Sequence, residues 1–167
     1  FVQAFGNTIL FVIADHGHKK INNVYLEDYE DLFSLLKTTT SLEQRAVSFH
    51  VKDGKQDKFK KLFNQYFGQD FTLYTKEDVI ESKLFGDGEE HPLFRSSLGD
   101  FIAIAEDSDK SLVAPYDDVL YSQHAGYSDD EVYIPLIIID KTTDLWYFKA
   151  SQTKKGVENM KYLFTQK

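Results

Sequence analysis

One stretch of the sequence decides the fold class: Thr8-Ile-Leu-Phe-Val-Ile-Ala-Asp15-His16-Gly17-His18. Its apolar run, Ile9 to Ala14, ends abruptly at an acid, an imidazole and a glycine. A run of this length bounded by polar residues is typical of a strand that is buried on both faces of a parallel sheet. We therefore predict an α/β fold with a mostly parallel sheet flanked by helices.

Two side chains directly after this strand have metal-binding chemistry. Asp15 and His16 occupy the position beyond the carboxyl end of a strand, which is where ligands bind in open α/β sheets. A carboxylate beside an imidazole suits a divalent ion, and Gly17 allows a sharp turn close to it. The alternative is a plain strand-end turn in which Asp15 caps the next segment.

A second stretch near the other end of the chain has matching features. His124 is followed closely by Gly126, and Ser128 to Glu131 has the form of a capping box at the start of a short helix. A second apolar strand, Ile134 to Ile139, comes next. We expect the two apolar strands to be near neighbours, so that His16 and His124 converge.

Together the two stretches resemble the alkaline phosphatase superfamily, in particular its phosphodiesterase/nucleotide pyrophosphatase-like branch. The matching motifs are Asp15-His16-Gly17 after a strand, His124-x-Gly126, and Glu131 before Pro135-Leu-Ile. The segment from Leu84 to Asp100 is similar to the linking region of bacterial members. The resemblance covers Asn7 to Asp140 and implies an alkaline phosphatase-like fold.

The resemblance also implies a cofactor and a substrate class. Family members hold two divalent ions, commonly zinc with manganese as the alternative, which bind the phosphoryl group. Asp15 and His16 would be ligands of one ion and His124 of the other. Because the chain has no cysteine, any metal must be held by His, Asp and Glu. The expected substrate is a phosphate ester or nucleotide-like small molecule.

The family nucleophile, a Thr or Ser, lies on a segment that precedes the Asp-His-Gly strand, and no Thr or Ser here has that setting. The chain begins with Phe1. We therefore expect residues 1–167 to be the C-terminal part of an alkaline phosphatase-like domain, inactive alone, from a metal-dependent hydrolase. Monoesterase, sulfatase and phosphoglycerate mutase chemistry remain open. So does a second class, a non-catalytic α/β binding or interaction domain or a degenerate homologue.

Two further histidines are weaker candidates for substrate binding. His18 follows the Asp-His-Gly motif closely, and a solvated or supporting role is an equal alternative. His91 precedes Pro92 in an acidic loop, where a solvated turn is the ordinary expectation.

Composition limits the remaining classes. A net charge of −8 argues against a nucleic-acid-binding surface. No apolar run approaches the ~20 residues of a membrane span, and no signal peptide is visible. The absence of cysteine, and so of disulfides, fits the cytoplasmic location that we predict. The apolar strands would expose an edge if part of their sheet were missing, which predicts possible self-association.

Periodicity predicts the other elements. Apolar residues at helical spacing indicate helices over residues 21–37 and 55–67, the second ending at a Gly68 cap. Alternation indicates a strand at 45–51. We also predict a short strand at 71–74 and an apolar strand at 101–105, and residues 45–105 form a possible cap subdomain. Leu112-Val113 would pair back on the last of these strands. In the tail we predict an edge strand over 142–148 and a helix carrying Val157, Met160 and Phe164, with no functional interpretation.

Overall fold

The computed structural model describes residues 8–115, 118–139 and 146–151, the last range as backbone only. The strands are β1 Leu10–Ile13, β2 Lys19–Lys20, β3 Asn22–Tyr25, β4 Ser41–Glu43, β5 Ala46–Phe49, β6 Phe71–Thr75, β7 Phe101–Ala105, β8 Lys110–Val113, β9 Ser122–Gln123, β10 Tyr133–Ile139 and β11 Trp146–Ser151. The helices are α1 Glu30–Phe33, α2 Gln56–Phe67, α3 Lys76–Glu81, α4 Phe94–Ser97 and α5 Asp129–Val132, with a 3-10 turn at Leu26–Asp28.

The chain divides into two compact units, each described here by itself. Unit 1 comprises Phe1–Gly17 and Asp129–Lys167, and unit 2 comprises His18–Ser128. Unit 1 contains a three-stranded sheet in the order β1-β10-β11. The register pairs Leu10 with Ile139 and Ile13 with Leu136. The two apolar strands are therefore direct neighbours, as expected.

The direction of these strands corrects the prediction of a mostly parallel sheet. Both pairs in unit 1 are antiparallel, and among the described strands only β3 and β8 pair in parallel. An apolar run predicts a strand but not the direction of its neighbour, because the backbone ladder forms in either direction. The fold is α/β, with small, mainly antiparallel sheets and few helices.

The burial of β1 also differs from expectation. Phe11, Val12 and Ile13 are 58%, 46% and 62% exposed, whereas the sequence predicts a strand covered on both faces. Among the strands that the structure describes, β1 lies at one edge of its sheet, with β10 as its neighbour. The apolar run thus marks a strand whose side chains remain exposed in this chain.

Unit 2 is built around a four-stranded antiparallel sheet in the order β4-β5-β7-β6. Helix α2 supplies Phe59 and Phe63, both fully buried, which pack their rings against Phe49 of β5. A buried side chain of this size contributes roughly 1.5–3 kcal/mol through lost apolar surface. The predictions for α2, β5, β6 and β7 are confirmed. Gly68 ends α2 in a right-handed conformation, with φ −66°, so its left-handed freedom is unused.

The predicted helix over residues 21–37 is wrong over most of its length. Asn22–Tyr25 forms β3, which pairs in parallel with Lys110–Val113, and only a 3-10 turn and the four residues of α1 follow. Asn22 and Asn23 have low helix propensity. The structure of this segment is determined by pairing with a strand that is distant in sequence. The same ladder shows that Leu112-Val113 pairs with β3 instead of folding back on β7.

The sheet of the predicted cap lies within unit 2, but a capping role for residues 45–105 stays a prediction. In the tail, a strand is found at Trp146–Ser151, which overlaps the predicted edge strand over 142–148, and residues 142–145 lie outside the described residues. The predicted helix with Val157, Met160 and Phe164 lies outside the described residues. No helix in the described part of the chain is both long and apolar enough to cross a bilayer.

Candidate functional site

The turn after β1 places the first two candidate ligands. The backbone N–H of Gly17 donates to the carbonyl oxygen of Glu131, at 2.9 Å. A methyl group on Gly17 would overlap the carbonyl oxygen of Asp130, so this position needs glycine for space and not for a left-handed backbone. The Asp-His-Gly turn therefore packs directly on the backbone of α5, within unit 1.

Hydrogen bonds orient both side chains of the turn. The His16 ring places Nδ1 3.0 Å from the carbonyl oxygen of Gly17. A carbonyl only accepts, so the Nδ1–H donates, and in the neutral ring the proton-free nitrogen is then Nε2. Asp15 accepts the backbone N–H of His16 on Oδ1, at 3.1 Å, and its Oδ2 lies 3.6 Å from His16 Nε2.

This pair fits a divalent ion. Ligand nitrogen and oxygen atoms about 2.1 Å from a tetrahedral zinc ion lie about 3.4 Å apart, close to the 3.6 Å between Asp15 Oδ2 and His16 Nε2. Metal-binding histidines typically donate their second ring N–H to a carboxylate or backbone carbonyl, as His16 does to Gly17. The Asp15 side chain is 88% exposed and that of His16 30%, so an ion can reach both.

His124 follows β9 in unit 2. Gln123, immediately before it, is only 5% exposed, and the backbone N–H of Tyr127 donates to the carbonyl oxygen of Ala105 at 2.8 Å. His124 itself is half-buried. Burial raises the pKa of the Tyr127 hydroxyl, with smaller contributions from Tyr74 and Glu106, so this residue stays neutral and packs as an apolar side chain. The segment carrying His124 is thus fixed on both sides to the interior of unit 2.

His18 lies next to His124. Strands β2 and β9 pair Lys19 with Gln123, so positions 18 and 124 are the next opposed pair of that antiparallel ladder. The two imidazole rings are 5.5 Å apart between centroids and meet edge to face. The structure thus brings two of the predicted residues together within unit 2.

His91 is in a different setting. Its Nδ1 accepts the backbone N–H of Leu93, at 3.2 Å, and it lines a cavity of about 480 Å³ beside α3 and α4. None of the other candidate residues lines that cavity. Its substrate role stays a prediction, and the turn interpretation agrees with this hydrogen bond.

The full metal site stays a prediction. Asp15 and His16 belong to unit 1 and His124 to unit 2, so their expected convergence is untested. Across residues 8–115, 118–139 and 146–151, no group of three or more His, Asp or Glu side chains forms a ready cation site.

Sequence reasoning missed two features of the His124 segment. Ala125 has a φ of 80°, a left-handed conformation that costs a non-glycine residue roughly 1–2 kcal/mol. Glu131 is 4% exposed although it is charged. An alanine gives no sequence signal for left-handed backbone. The sequence places Glu131 in a capping box and a family motif but does not show that its side chain is buried.

Comparisons with known proteins give a likeness of fold. No protein-family model matches the chain. No curated protein matches it either. One solved structure, murine ectonucleotide pyrophosphatase/phosphodiesterase 5, shares 21% identity over 80% of this chain and 34% of its own, with a TM-score of 0.51. The inactive form of that protein in complex with AMP gives 22% identity over 77% and 33%, with a TM-score of 0.48.

The likeness supports an alkaline phosphatase-like fold, of the kind found in a pyrophosphatase/phosphodiesterase. The chain covers 34% of the length of this solved structure, about a third. Activity, substrate and metal are therefore treated as proposals.

Proposed function

We propose that this chain supplies metal ligands to a phosphoric ester hydrolase of the phosphodiesterase/nucleotide pyrophosphatase type with a two-metal site. The observation that carries the proposal is the Asp15–His16 pair. Its Oδ2 and Nε2 atoms are at ligand–ligand spacing, and the opposite ring nitrogen of His16 bonds a backbone carbonyl. An Asp–His ion pair with a purely structural role on a protein surface does not require the His tautomer that carries its proton on Nδ1.

In this proposal each residue has a defined task. Asp15 and His16 hold one divalent ion, zinc or manganese, and His124 holds the other. When bound, such ions act as Lewis acids that stabilise the charge on the transferring phosphoryl group. Gly17 keeps the turn against α5, and its carbonyl selects the His16 tautomer whose Nε2 can coordinate. Presenting the His16 Nε2 and an Asp15 carboxylate oxygen at ligand spacing is therefore the chain's own contribution.

The proposed substrate is a nucleotide-like phosphodiester. This rests on the sequence resemblance and on the name of the solved neighbour of similar fold. Residues 1–167 contain no counterpart of the family nucleophile, so we propose that they give no turnover alone. Measured metal-dependent turnover by residues 1–167 would overturn that part.

Hydrolysis tests the proposal directly. The longest polypeptide that carries this sequence is assayed with a chromogenic phosphodiester and a monoester, with added Zn²⁺ or Mn²⁺, beside its Asp15→Ala variant. We expect metal-dependent cleavage that favours the diester and is lost in the variant. A His50→Ala variant is the control, because His50 follows β5, away from both candidate motifs in sequence. Full activity in Asp15→Ala contradicts the proposed site.

A second role is favoured by the exposed side chains of β1. Phe11 and Ile13 expose apolar side chains on one face of β1 and Val12 on the other, and among the described strands β1 lies at the edge of its sheet, a position that can pair with another chain. We propose that residues 1–167 self-associate through this strand. That role fits the interaction-domain alternative and is independent of any metal.

A further inference from the structure

We propose that the cavity beside α3 and α4 in unit 2 binds an organic cation, an ammonium or guanidinium group on an apolar body. Its volume of about 480 Å³ lies within the usual range for small-molecule sites. None of the candidate metal ligands Asp15, His16 and His124 lines it. Binding here would therefore be separate from the proposed ester hydrolysis and independent of a metal.

The floor of the cavity is apolar. Val79 is buried, and Ile80 and Phe94 pack against the same small core as partly buried side chains. Phe85 meets Phe94 edge to face, at 5.6 Å between ring centroids, yet remains 58% exposed. A ligand with an apolar body would cover this ring and remove its apolar surface from water.

The charged side chains around this floor are mainly acidic. Four carboxylates and two cationic groups line the cavity: Glu81, Asp87, Glu89, Glu90, Lys83 and Arg95. Both cationic groups are already paired. Arg95 donates to the two carboxylate oxygens of Glu90, from Nε at 2.7 Å and from Nη2 at 3.0 Å. The Lys83 ammonium lies 2.8 Å from the Asp87 carboxylate.

This pairing leaves two carboxylates for a ligand. Glu81 and Glu89 are exposed, and among the residues that the structure describes neither carboxylate has an ion-pair partner. An anionic ligand would have to displace a carboxylate from Arg95 or Lys83. A cation needs no such displacement, and it can also interact with the face of the exposed Phe85 ring.

The loop that carries the acids is held at both ends. Helix α3 ends with hydrogen bonds from the Lys83 N–H to Ile80 and from the next N–H to Val79, both at 3.2 Å. This reversal gives Lys83 a φ of 50°, at a position where glycine is usual. A lysine there provides the side chain that pairs with Asp87, and the bidentate pair of Glu90 holds the other end. The wall of the cavity is therefore formed before a ligand arrives.

Three probes with one aromatic body separate charge from shape. Phenethylamine, phenylethanol and phenylacetate are cationic, neutral and anionic at neutral pH, and the backbone amide shifts of Gly86 and Gly88 report their binding to the 167-residue chain. We expect saturable shifts with phenethylamine, binding of the alcohol weaker by about fivefold, and no saturable shift with phenylacetate. Alcohol binding as tight as amine binding, saturable binding of phenylacetate, or no saturation with phenethylamine each overturns the proposal.

Variants locate the cation within the cavity. Glu81→Gln combined with Glu89→Gln should weaken phenethylamine binding by about fivefold and leave phenylethanol binding unchanged. Glu77→Gln is the matched control, because Glu77 is an exposed acid of α3 that does not line the cavity. Phe85→Ala should weaken both probes, since it removes the ring that covers the apolar body. Unchanged amine binding in the double variant would refute the assignment of the carboxylates.

The same chemistry can come from a free amine or from a basic side chain of a partner protein. An acetylated phenylalanyl-lysine amide is therefore titrated beside phenethylamine. Tighter binding of the peptide supports a protein source, and tighter binding of phenethylamine supports a small molecule. Both outcomes support a cation site, whereas saturable binding of neither probe overturns it.

Discussion

Gly17 and Glu131 are joined by a backbone hydrogen bond of 2.9 Å, which places the candidate metal-binding turn against the short helix before β10. The two residues are far apart in sequence, but the antiparallel pairing of β1 with β10 brings them side by side. The position of Asp15 and His16 therefore depends on close backbone contact at Gly17.

The first prediction concerns that contact. Gly17→Ala should destabilise unit 1 by about 1–3 kcal/mol, because the new methyl group overlaps the Asp130 carbonyl and forces the backbone apart. Zinc affinity should fall with it. Urea unfolding measures the first effect and chelator competition the second. Gly88→Ala is the control, since a methyl group there has open space. Equal stability of the two variants would show that the turn is loosely packed.

The second prediction concerns the start of α3. The Thr75 hydroxyl accepts the backbone N–H of Asp78 at 3.1 Å, and the Asp78 carboxylate accepts the Thr75 N–H at 2.8 Å. Thr75→Ala should cost about 1 kcal/mol of unfolding free energy in a urea titration. Thr39→Ala, at an exposed position outside any helix, should cost little.

The same cap predicts a pH dependence. Hydrogen bonds from Thr75 lower the pKa of Asp78 from its ordinary value of 3.8. A carboxylate with a lowered folded-state pKa stabilises the fold above the ordinary pKa and loses that contribution as the pH falls through the lowered value. The stability difference between the unchanged chain and Asp78→Asn should therefore shrink below pH 3.8. A constant difference down to the acid transition would contradict the assigned cause.

The third prediction concerns self-association. Phe11→Lys places a charge on the exposed β1 strand and should shift the chain toward monomer in sedimentation velocity. Val119→Lys is the matched control, because Val119 is similarly exposed, at 53%, but lies in unit 2. A chain that is monomeric at all concentrations, or a control that dissociates equally, would remove β1 as the contact.

The sequence predicts locally coded elements of this fold well. Helix α2 follows from the spacing of Phe59, Phe63 and their neighbours. These signals depend only on residues that are close in sequence, so they can be recognised without knowledge of the tertiary contacts. The expectation that the two apolar strands are near neighbours is confirmed, because they pair directly.

Long-range pairing explains the errors. Asn22–Tyr25 forms a strand because it meets Lys110–Val113, a contact that periodicity does not contain. The apolar run of β1 likewise does not show whether the neighbouring strand is parallel. It also does not show whether other residues cover the β1 side chains. At the candidate site, adjacency in sequence predicts the Asp15–His16 pair. The meeting of His18 and His124 depends on a two-residue ladder with no sequence signal of its own.

Zinc binding by residues 1–167 tests the central claim most directly. Competition with a chromophoric chelator is measured for the unchanged chain, Asp15→Ala, His16→Ala and the control His50→Ala. If Asp15 and His16 hold a divalent ion, both variants should bind at least about tenfold more weakly, and the control should bind as the unchanged chain does. Equal affinity in all four proteins would contradict a metal site at the end of β1.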